Sequence, residues 1–587
     1  MKTFTKTITV WMAMLLGSLA PAPAQDQGYN QIAPKTVPLA GPAGEVTPPP
    51  APPVDVSDSR VVLKRLNALV FVPTPEAVDH GGTEAREPVV INKVDVPDEA
   101  GFRELTTPYV GQRLTHGQLN ALITGIIVYY RQHDRPIIDV IVPVQKITNG
   151  VVQIVILEGK VGDVSVTGTK WFPPAEIRNN LSVQPGDEIR ASKIQSDLDW
   201  VNQNPFHTSD LVYEPGSKLG QTNLVLQTKD RFPARVYAGY EDSGNAETGF
   251  DRYEAGLNWG DAFDLGLGQE LNYQYTTSGD GQSLQAHSGS YIMPLPWHNT
   301  LTFFGTYAAT KGTIPPLFDV SGRTYQISGR YTVPLADVTW PSVLTYKQSV
   351  GAGFDYKYNR NSLLFGGQAA NGSTLYDVDQ FVLTYDGAET DAHGQTTISD
   401  QLYLSPGDWG GDNNNTAFNA AHSRATSGYT YNTLVLERLT KLPADFSLLL
   451  RGTLQMSDSN LVPSEQLGFG GYDTVRGYDE REVNADEGFI FTTEVRSPSI
   501  SFGNIYHWAG FNDELQILAF WDYGSAENHD PLPGEPDETP LSALGFGLRF
   551  SFNTYLTLRY DYGFQLLRTG FDNDHGSKSD IGLVLSY

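Results

Sequence analysis

Cysteine does not occur among the 587 residues. No disulfide can staple the fold, no thiolate can act as nucleophile or metal ligand, and stability must come from packing or strand closure. Beyond the N-terminus there is no uninterrupted run of about 18 apolar residues, which excludes a helical membrane protein. The same absence leaves a membrane barrel open, because barrel strands scatter their apolar residues among polar ones. Positive charge is short too: Lys and Arg number 40 against 67 Asp and Glu, a net charge of −27. Nucleic-acid binding needs clustered Lys and Arg, so it is not expected. Catalytic motifs are missing: no Gly-x-Ser-x-Gly elbow, no Gly-x-x-x-x-Gly-Lys-Ser/Thr loop and no His-Glu-x-x-His pair. Asp572-x-Asp574-x-Gly576 approaches a calcium loop but carries Ser577 at the sixth position and Leu583 at the twelfth. It reads as an acidic external loop, and neither a metal nor a cofactor is expected.

What is present changes along the chain. Residues 1–24 read as a secretory signal peptide: Lys2 and Lys6, an apolar stretch over 8–19, then Ala22-Pro23-Ala24 before Gln25. Residues 25–58 are rich in proline and read as an extended linker, against a long helix. Residues 59–160 are mixed α/β, with strands predicted over 69–72 and 89–96. Thr115 and Gln118 make a capping box ahead of Leu119, Leu122, Ile123, Ile126, Ile127 and Tyr130, which recur on one helical face. Apolar stretches at 137–142 and 151–157 predict two strands joined through Thr148-Asn149-Gly150. Residues 161–232 repeat this grammar. A strand over 161–166 is followed by a helix capped by Ser192 and Gln195 and carrying Ile194, Leu198 and Val201. A strand pair at 211–213 and 222–228 completes the unit. Two consecutive β-α-β-β modules make an internal repeat.

From 234 to 587 the period is two. Leu301, Phe303, Gly305 and Tyr307 fall on one face; Leu556, Leu558, Tyr560 and Tyr562 oppose Thr557, Arg559 and Asp561. Apolar outside and charged inside is the logic of a water-filled membrane barrel, while a soluble sandwich reverses it, so alternation alone leaves both open. The span accommodates about sixteen strands of membrane-crossing length. Connections alternate between short, as at 441–445, and long, as at 459–488, as periplasmic turns and external loops do. Ile581, Leu583, Leu585 and Tyr587 alternate along a last strand.

Within the long connection, the segment 464–478 (SEQLGFGGYDTVRGY) sets a lone arginine, Arg476, at the tip of a glycine-rich loop. An arginine in a barrel costs least when it enters the wet lumen and meets a carboxylate there. Asp522 is the candidate. It shares parity with Gln516 and Phe520, opposite Ile517, Ala519, Trp521 and Tyr523, and so points inward if Trp521 and Tyr523 face lipid. A planar guanidinium meets such a carboxylate with two parallel hydrogen bonds. Glu494 and Arg496 share one face of the preceding strand and are candidates for the same network.

The motif Val475-Arg476-Gly477-Tyr478 and the Phe-x-Asp-x-Gly strand at 520–524 resemble those of the POTRA–barrel outer-membrane superfamily. Within it they resemble most the two-partner secretion transporter (TpsB) family, the ShlB/FhaC/HecB-like haemolysin secretion/activation proteins. Tyr109-Val110-Gly111, Pro143-Val144-Gln145, Leu157-Glu158-Gly159 and Asn202-Gln203-Asn204-Pro205 resemble the family's paired POTRA domains, and the terminal strand resembles the C-terminal recognition signal of outer-membrane barrels. The resemblance covers roughly residues 60 to 587. It implies a mainly β protein, with POTRA domains at 59–160 and 161–232 and a transmembrane barrel of about sixteen antiparallel strands at 234–587. It also implies a loop folded inward and held by Arg476 at Asp522, and periplasmic capture of a large exported partner of the TpsA kind. The remaining partners it implies are outer-membrane lipid and, during biogenesis, the barrel-assembly machinery. No enzyme activity is expected. The rival readings are a barrel-assembly insertase, which carries more POTRA domains, and a diffusion porin, which has no use for residues 59–232.

Overall fold

The computed structural model describes residues 29, 31–37, 46–47 and 57–587, apart from 148, 246–247, 265, 267, 315–317, 341–343, 366–367, 370–373, 509 and 570–575. The segment read as a signal peptide and the Asp572–Asp574 loop lie outside the described residues. Leu39–Arg231 belong to one compact unit; Phe232–Tyr587, with the segment ending at Pro38, belong to another.

In the first unit the strand Ala68–Val72 is buried along its whole length. It lies between Val89–Ile91 and Val151–Glu158, parallel to both, with Ile138–Ile141 antiparallel at the edge. A strand covered on both faces has no reason to alternate, which accounts for its continuous apolar run. The strand predicted over 89–96 ends at Ile91, because Lys93 adopts φ 58°, incompatible with extended backbone. The helix His116–Gln132 starts with both halves of its capping box formed: Thr115 Oγ1 accepts from the Gln118 amide at 3.2 Å and Gln118 Oε1 from the Thr115 amide at 2.9 Å. Leu122, Ile126, Ile127 and Tyr130 are buried on the sheet, with Leu119 and Ile123 at the margin of the same core. A second helix, Glu99–Thr106, was not read in the sequence; Asp98 caps it.

A second sheet joins Lys160–Thr167, Gln221–Asp230 and His207–Pro215. Its fourth strand comes from the proline-rich stretch: Val46–Thr47 runs parallel to His207–Pro215, with Val46 opposite Leu211 and Thr47 opposite Val212. The helix Ala191–Val201 forms as expected but is not capped by Ser192. It begins two residues early, with Arg190 at the N-cap position, which puts the Ser192 amide among the orphan donors of the first turn. Asp134 caps it instead, accepting from the Ser192 amide at 2.6 Å and from Ser192 Oγ at 2.7 Å.

The second unit is a closed antiparallel barrel of sixteen strands among the described residues, from Ala234–Glu241 to Ser577–Ser586. The last strand closes on the first, with Ala238 opposite Leu585. Its polarity is that of a membrane barrel. Gln274, Asp355, Gln380, Asp522 and Asp561 are fully enclosed, while Phe303, Tyr307, Ile327, Trp521 and Leu544 stand exposed on the outer face. A soluble fold would place these two sets the other way round. No helix among the described residues is long and apolar enough to cross a membrane; the crossing elements are strands.

Two pieces of chain occupy the interior. The loop 458–486, between strand eleven (Ser447–Ser457) and strand twelve (Glu487–Arg496), folds inward around a two-stranded sheet of Leu467–Phe469 and Val483–Ala485. Residues 32–36 run along the inner wall of the first four strands, Ala234–Glu241, Arg252–Trp259, Glu270–Ser278 and Leu284–Pro294. Lys35 Nζ meets Glu241 at 2.5 Å and Glu254 at 3.2 Å, Arg235 Nη1 donates to the Thr36 carbonyl and Gln274 Nε2 to the Ile32 carbonyl. Glu241, the last residue of strand one, therefore faces inward.

Candidate functional site

The tip of loop 458–486 brings Val475, Arg476, Gly477 and Tyr478 against the wall formed by strands twelve to fifteen. Strand thirteen is Asp513–Glu527, strand fourteen Glu538–Phe552 and strand fifteen Leu556–Gln565. Parity fixes what each strand offers. On strand thirteen Phe520 and Asp522 are buried inward while Ile517 and Trp521 are outward and exposed. Arg476, 2% exposed, enters this surface. Its Nε donates to Asp522 Oδ2 at 2.7 Å and its Nη2 to Asp522 Oδ1 at 2.8 Å, the two parallel bonds expected of a guanidinium and a carboxylate. The Arg476 backbone amide adds a third bond to Asp522 Oδ2 at 3.1 Å. Nη1 donates to Glu494 at 2.6 Å and reaches Asp561 at 3.5 Å. The guanidinium lies 3.5 Å from the Phe520 ring centroid, a cation–π stack.

The charges alternate outward from there. Glu494 also holds Arg496 at 2.7 Å; Asp561 also holds Arg549 at 3.0 Å and Arg559 at 2.8 Å; Arg559 reaches back to Asp473 of the loop at 2.7 Å. Burial disfavours the Arg476 charge, but Asp522, Glu494 and Asp561 overrule it and hold the guanidinium above its ordinary value. A cavity of about 300 Å³ opens beside the network, with Arg476, Glu494, Arg496, Arg549 and Arg559 in its wall.

The glycines explain how the loop gets so close. Gly477 has φ +90°, and a Cβ there would stand 3.0 Å from the Gly563 carbonyl carbon. A Cβ on Gly563 would meet Gly477 Cα at 2.7 Å, and one on Gly524 would meet Phe469 and Val475 at 3.0 Å. Gly524 thus leaves room for the apolar underside of the loop, where Phe469, Val475 and Tyr478 are buried with Leu541 and Ala543. Tyr478 Oη accepts from the Ser542 amide at 3.0 Å, with the Leu567 carbonyl 2.6 Å away.

Arg476, Asp522, Glu494 and Arg496 are thus in one cluster, with Val475, Gly477 and Tyr478 packed beside it. Sequence reasoning had not placed Asp561, Arg549, Arg559 or Gly563 in it, although the Leu556–Tyr562 alternation already turned Asp561 and Arg559 inward. Nothing in the sequence pointed to Lys35. Ile581, Leu583 and Leu585 lie on the closing strand, with Leu585 and Tyr587 exposed.

The barrel and the α/β region ahead of it have counterparts among known proteins. The model of the haemolysin secretion/activation protein ShlB/FhaC/HecB matches residues 220–550, and that of the ShlB-type POTRA domain matches residues 88–159. The heme/hemopexin transporter protein HuxB of Haemophilus influenzae (strain 86-028NP) is 22% identical over 471 residues, covering 78% of this chain and 79% of that protein. Outer membrane transporter CdiB-2 of Burkholderia pseudomallei (strain 1026b) is 22% identical over 448 residues, covering 73% and 71%. The fold is that of CdiB from Escherichia coli, with a TM-score of 0.72 at 14% identity over 92% of this chain and 94% of that one. A match across the barrel and a POTRA region, joined to this architecture, makes the chain a member of the ShlB/FhaC/HecB haemolysin secretion/activation family, the outer-membrane transporters with periplasmic POTRA domains that secrete partner proteins.

Proposed function

We propose that this transporter rests closed, with loop 458–486 held in the lumen by Arg476, and passes one large unfolded partner of the TpsA kind once that hold is released. The observation that carries the reading is the two-pronged Arg476–Asp522 contact, reinforced by Glu494, inside a closed barrel. Arg496, through Glu494, completes the network, and Val475, Gly477 and Tyr478 shape the tip so that the guanidinium reaches the wall. The alternation ending at Ile581, Leu583, Leu585 and Tyr587 serves the barrel-assembly machinery as a recognition strand, and the exposed outer face takes lipid. Residues 59–160 and 161–232 act as two POTRA domains that receive the partner by strand addition at a sheet edge. A partner strand adding at His207–Pro215 has first to displace Val46–Thr47, which already occupies part of that edge. No step calls for catalysis, and folding of the partner outside supplies the direction of travel.

Two variants test the lock. Arg476→Ala leaves three carboxylates around an empty site, a loss on the order of 3–5 kcal/mol of local stability. It is expected to assemble a heat-modifiable barrel and to export poorly. Cysteines at 476 and 522, in a chain that has none of its own, are expected to crosslink in the resting protein. Normal export by Arg476→Ala together with no crosslink removes the proposed role.

A further inference from the structure

Loop 458–486 is held at a second place, remote along the wall from the first. Near its start Glu465 is 1% exposed, and Lys357 Nζ stands 3.2 Å from both of its carboxylate oxygens. Tyr431 Oη donates to Oε2 at 2.9 Å, Gln380 Nε2 to Oε2 at 3.0 Å and Ser464 Oγ to Oε1 at 2.8 Å. Lys357 lies on strand seven (Leu344–Phe365), Gln380 on strand eight (Thr374–Asp391) and Tyr431 on strand ten (Gly428–Lys441). The Arg476 partners lie on strands twelve, thirteen and fifteen, so the two attachments share no strand. The wall side is itself braced: Gln380 donates to Asp355 at 3.2 Å, and Arg330 donates to Asp355 at 2.6 and 3.0 Å. Leu461 and Val462 beside it pack with Tyr376, Tyr403 and Tyr429, and with Phe418 of the helix Asn415–Ala421 in the loop between strand nine (Gly394–Pro406) and strand ten.

A buried lysine–glutamate pair is a poor way to gain permanent stability, because desolvation cancels most of the attraction and apolar residues do better. It is a good catch between parts that must separate. When the loop leaves a water-filled lumen, both charges are rehydrated, and the cost of release stays small. We propose that Glu465 is a positioning residue forming a second catch of the transporter: its carboxylate fastens the base of the loop to Lys357, and the channel opens only when this catch and the Arg476 site have both let go. This rests on the reading of the loop as the resting closure.

The test records openings of the full-length protein in planar lipid bilayers, with vancomycin sensitivity of cells carrying the same variants as a second readout. Assembly is checked by heat-modifiable migration. Glu465→Gln and Lys357→Gln are each expected to raise the open fraction on the order of tenfold, as losing one buried charge-assisted contact does. Glu465→Gln combined with Arg476→Ala is expected to multiply the two single effects. The exchanged pair, Glu465→Lys with Lys357→Glu, is expected to return the open fraction toward that of the parent, which a merely structural role does not require. Opening by Arg476→Ala with none by either Gln variant overturns the second catch and leaves the first lock standing. No opening in any variant, the double included, overturns the reading of the loop as the closure. An exchanged pair no better than its halves, or failure of all the position-465 and position-357 variants to assemble, assigns Glu465 to the folded core and overturns the proposal.

Discussion

Arg476 keeps its charge in near-complete burial because three carboxylates and an aromatic face surround it, and because those carboxylates are shared with Arg496, Arg549 and Arg559. Alternating charges let the site close without leaving a net charge unsolvated. A different balance governs His207, on the strand His207–Pro215. Burial drives its imidazole down to about 4, against a smaller upward pull from Asp230, and its ring packs edge-on against Phe172. The folded form thus refuses a proton that the unfolded chain accepts near pH 6.5, so stability is unaffected at neutral pH and falls as pH drops from about 6.5 toward 4. At pH 5 the loss is about 2 kcal/mol. Hydrogen exchange of the strands 207–215 and 221–230 in the full-length protein is expected to speed up between pH 7 and pH 5 more than in a His207→Gln variant, after correction for intrinsic rates. Equal acceleration in both refutes the assignment. At this scale the sequence was readable where chemistry and parity coincide, as at Arg476 and Asp522. It was silent where a residue's partner is distant and its own surroundings ordinary: Lys35 sits in a proline-rich stretch, and Glu465 is one acid in a loop.

Among the elements, those built by local rules were legible. The helix His116–Gln132 carries a capping box and a 3.6-residue apolar period, and its start lies where both say. Replacing Thr115 by Ala removes the side-chain acceptor for the Gln118 amide and is expected to cost about 1 kcal/mol. The readout is faster exchange of the first-turn amides of that helix alone; unchanged protection there shows that packing under Leu122 and Ile126 carries the start by itself. Elements that depend on distant chain escaped notice. Helix Glu99–Thr106 is too short for periodicity to mark. Helix Ala191–Val201 takes its cap from Asp134, 58 positions from Ser192. Val46–Thr47 is a strand only because His207–Pro215 lies beside it. Barrel strands sit between these cases. Period two placed them, but only closure of the last on the first decides between lumen and solvent for the polar face.

At the scale of the whole molecule, a barrel holding two segments of its own chain follows a mixed α/β unit with two four-stranded sheets. An open pore cannot select an unfolded chain, whereas a sheet edge beside a helix can. Deleting residues 59–232 is therefore expected to leave an inserted barrel that releases no partner. The three architectures that share such a barrel part company in what a cell loses with the gene. A porin's loss is small-solute flux with an unchanged secretome, and an insertase's is a broad fall in outer-membrane barrels. The most direct measurement is the secreted and outer-membrane proteomes of a deletion strain, side by side, under conditions where the gene is expressed. The account predicts the disappearance of a single large secreted or surface protein, restored by the intact gene and not by the form lacking residues 59–232. An unchanged secretome, or a general depletion of outer-membrane barrels, contradicts it.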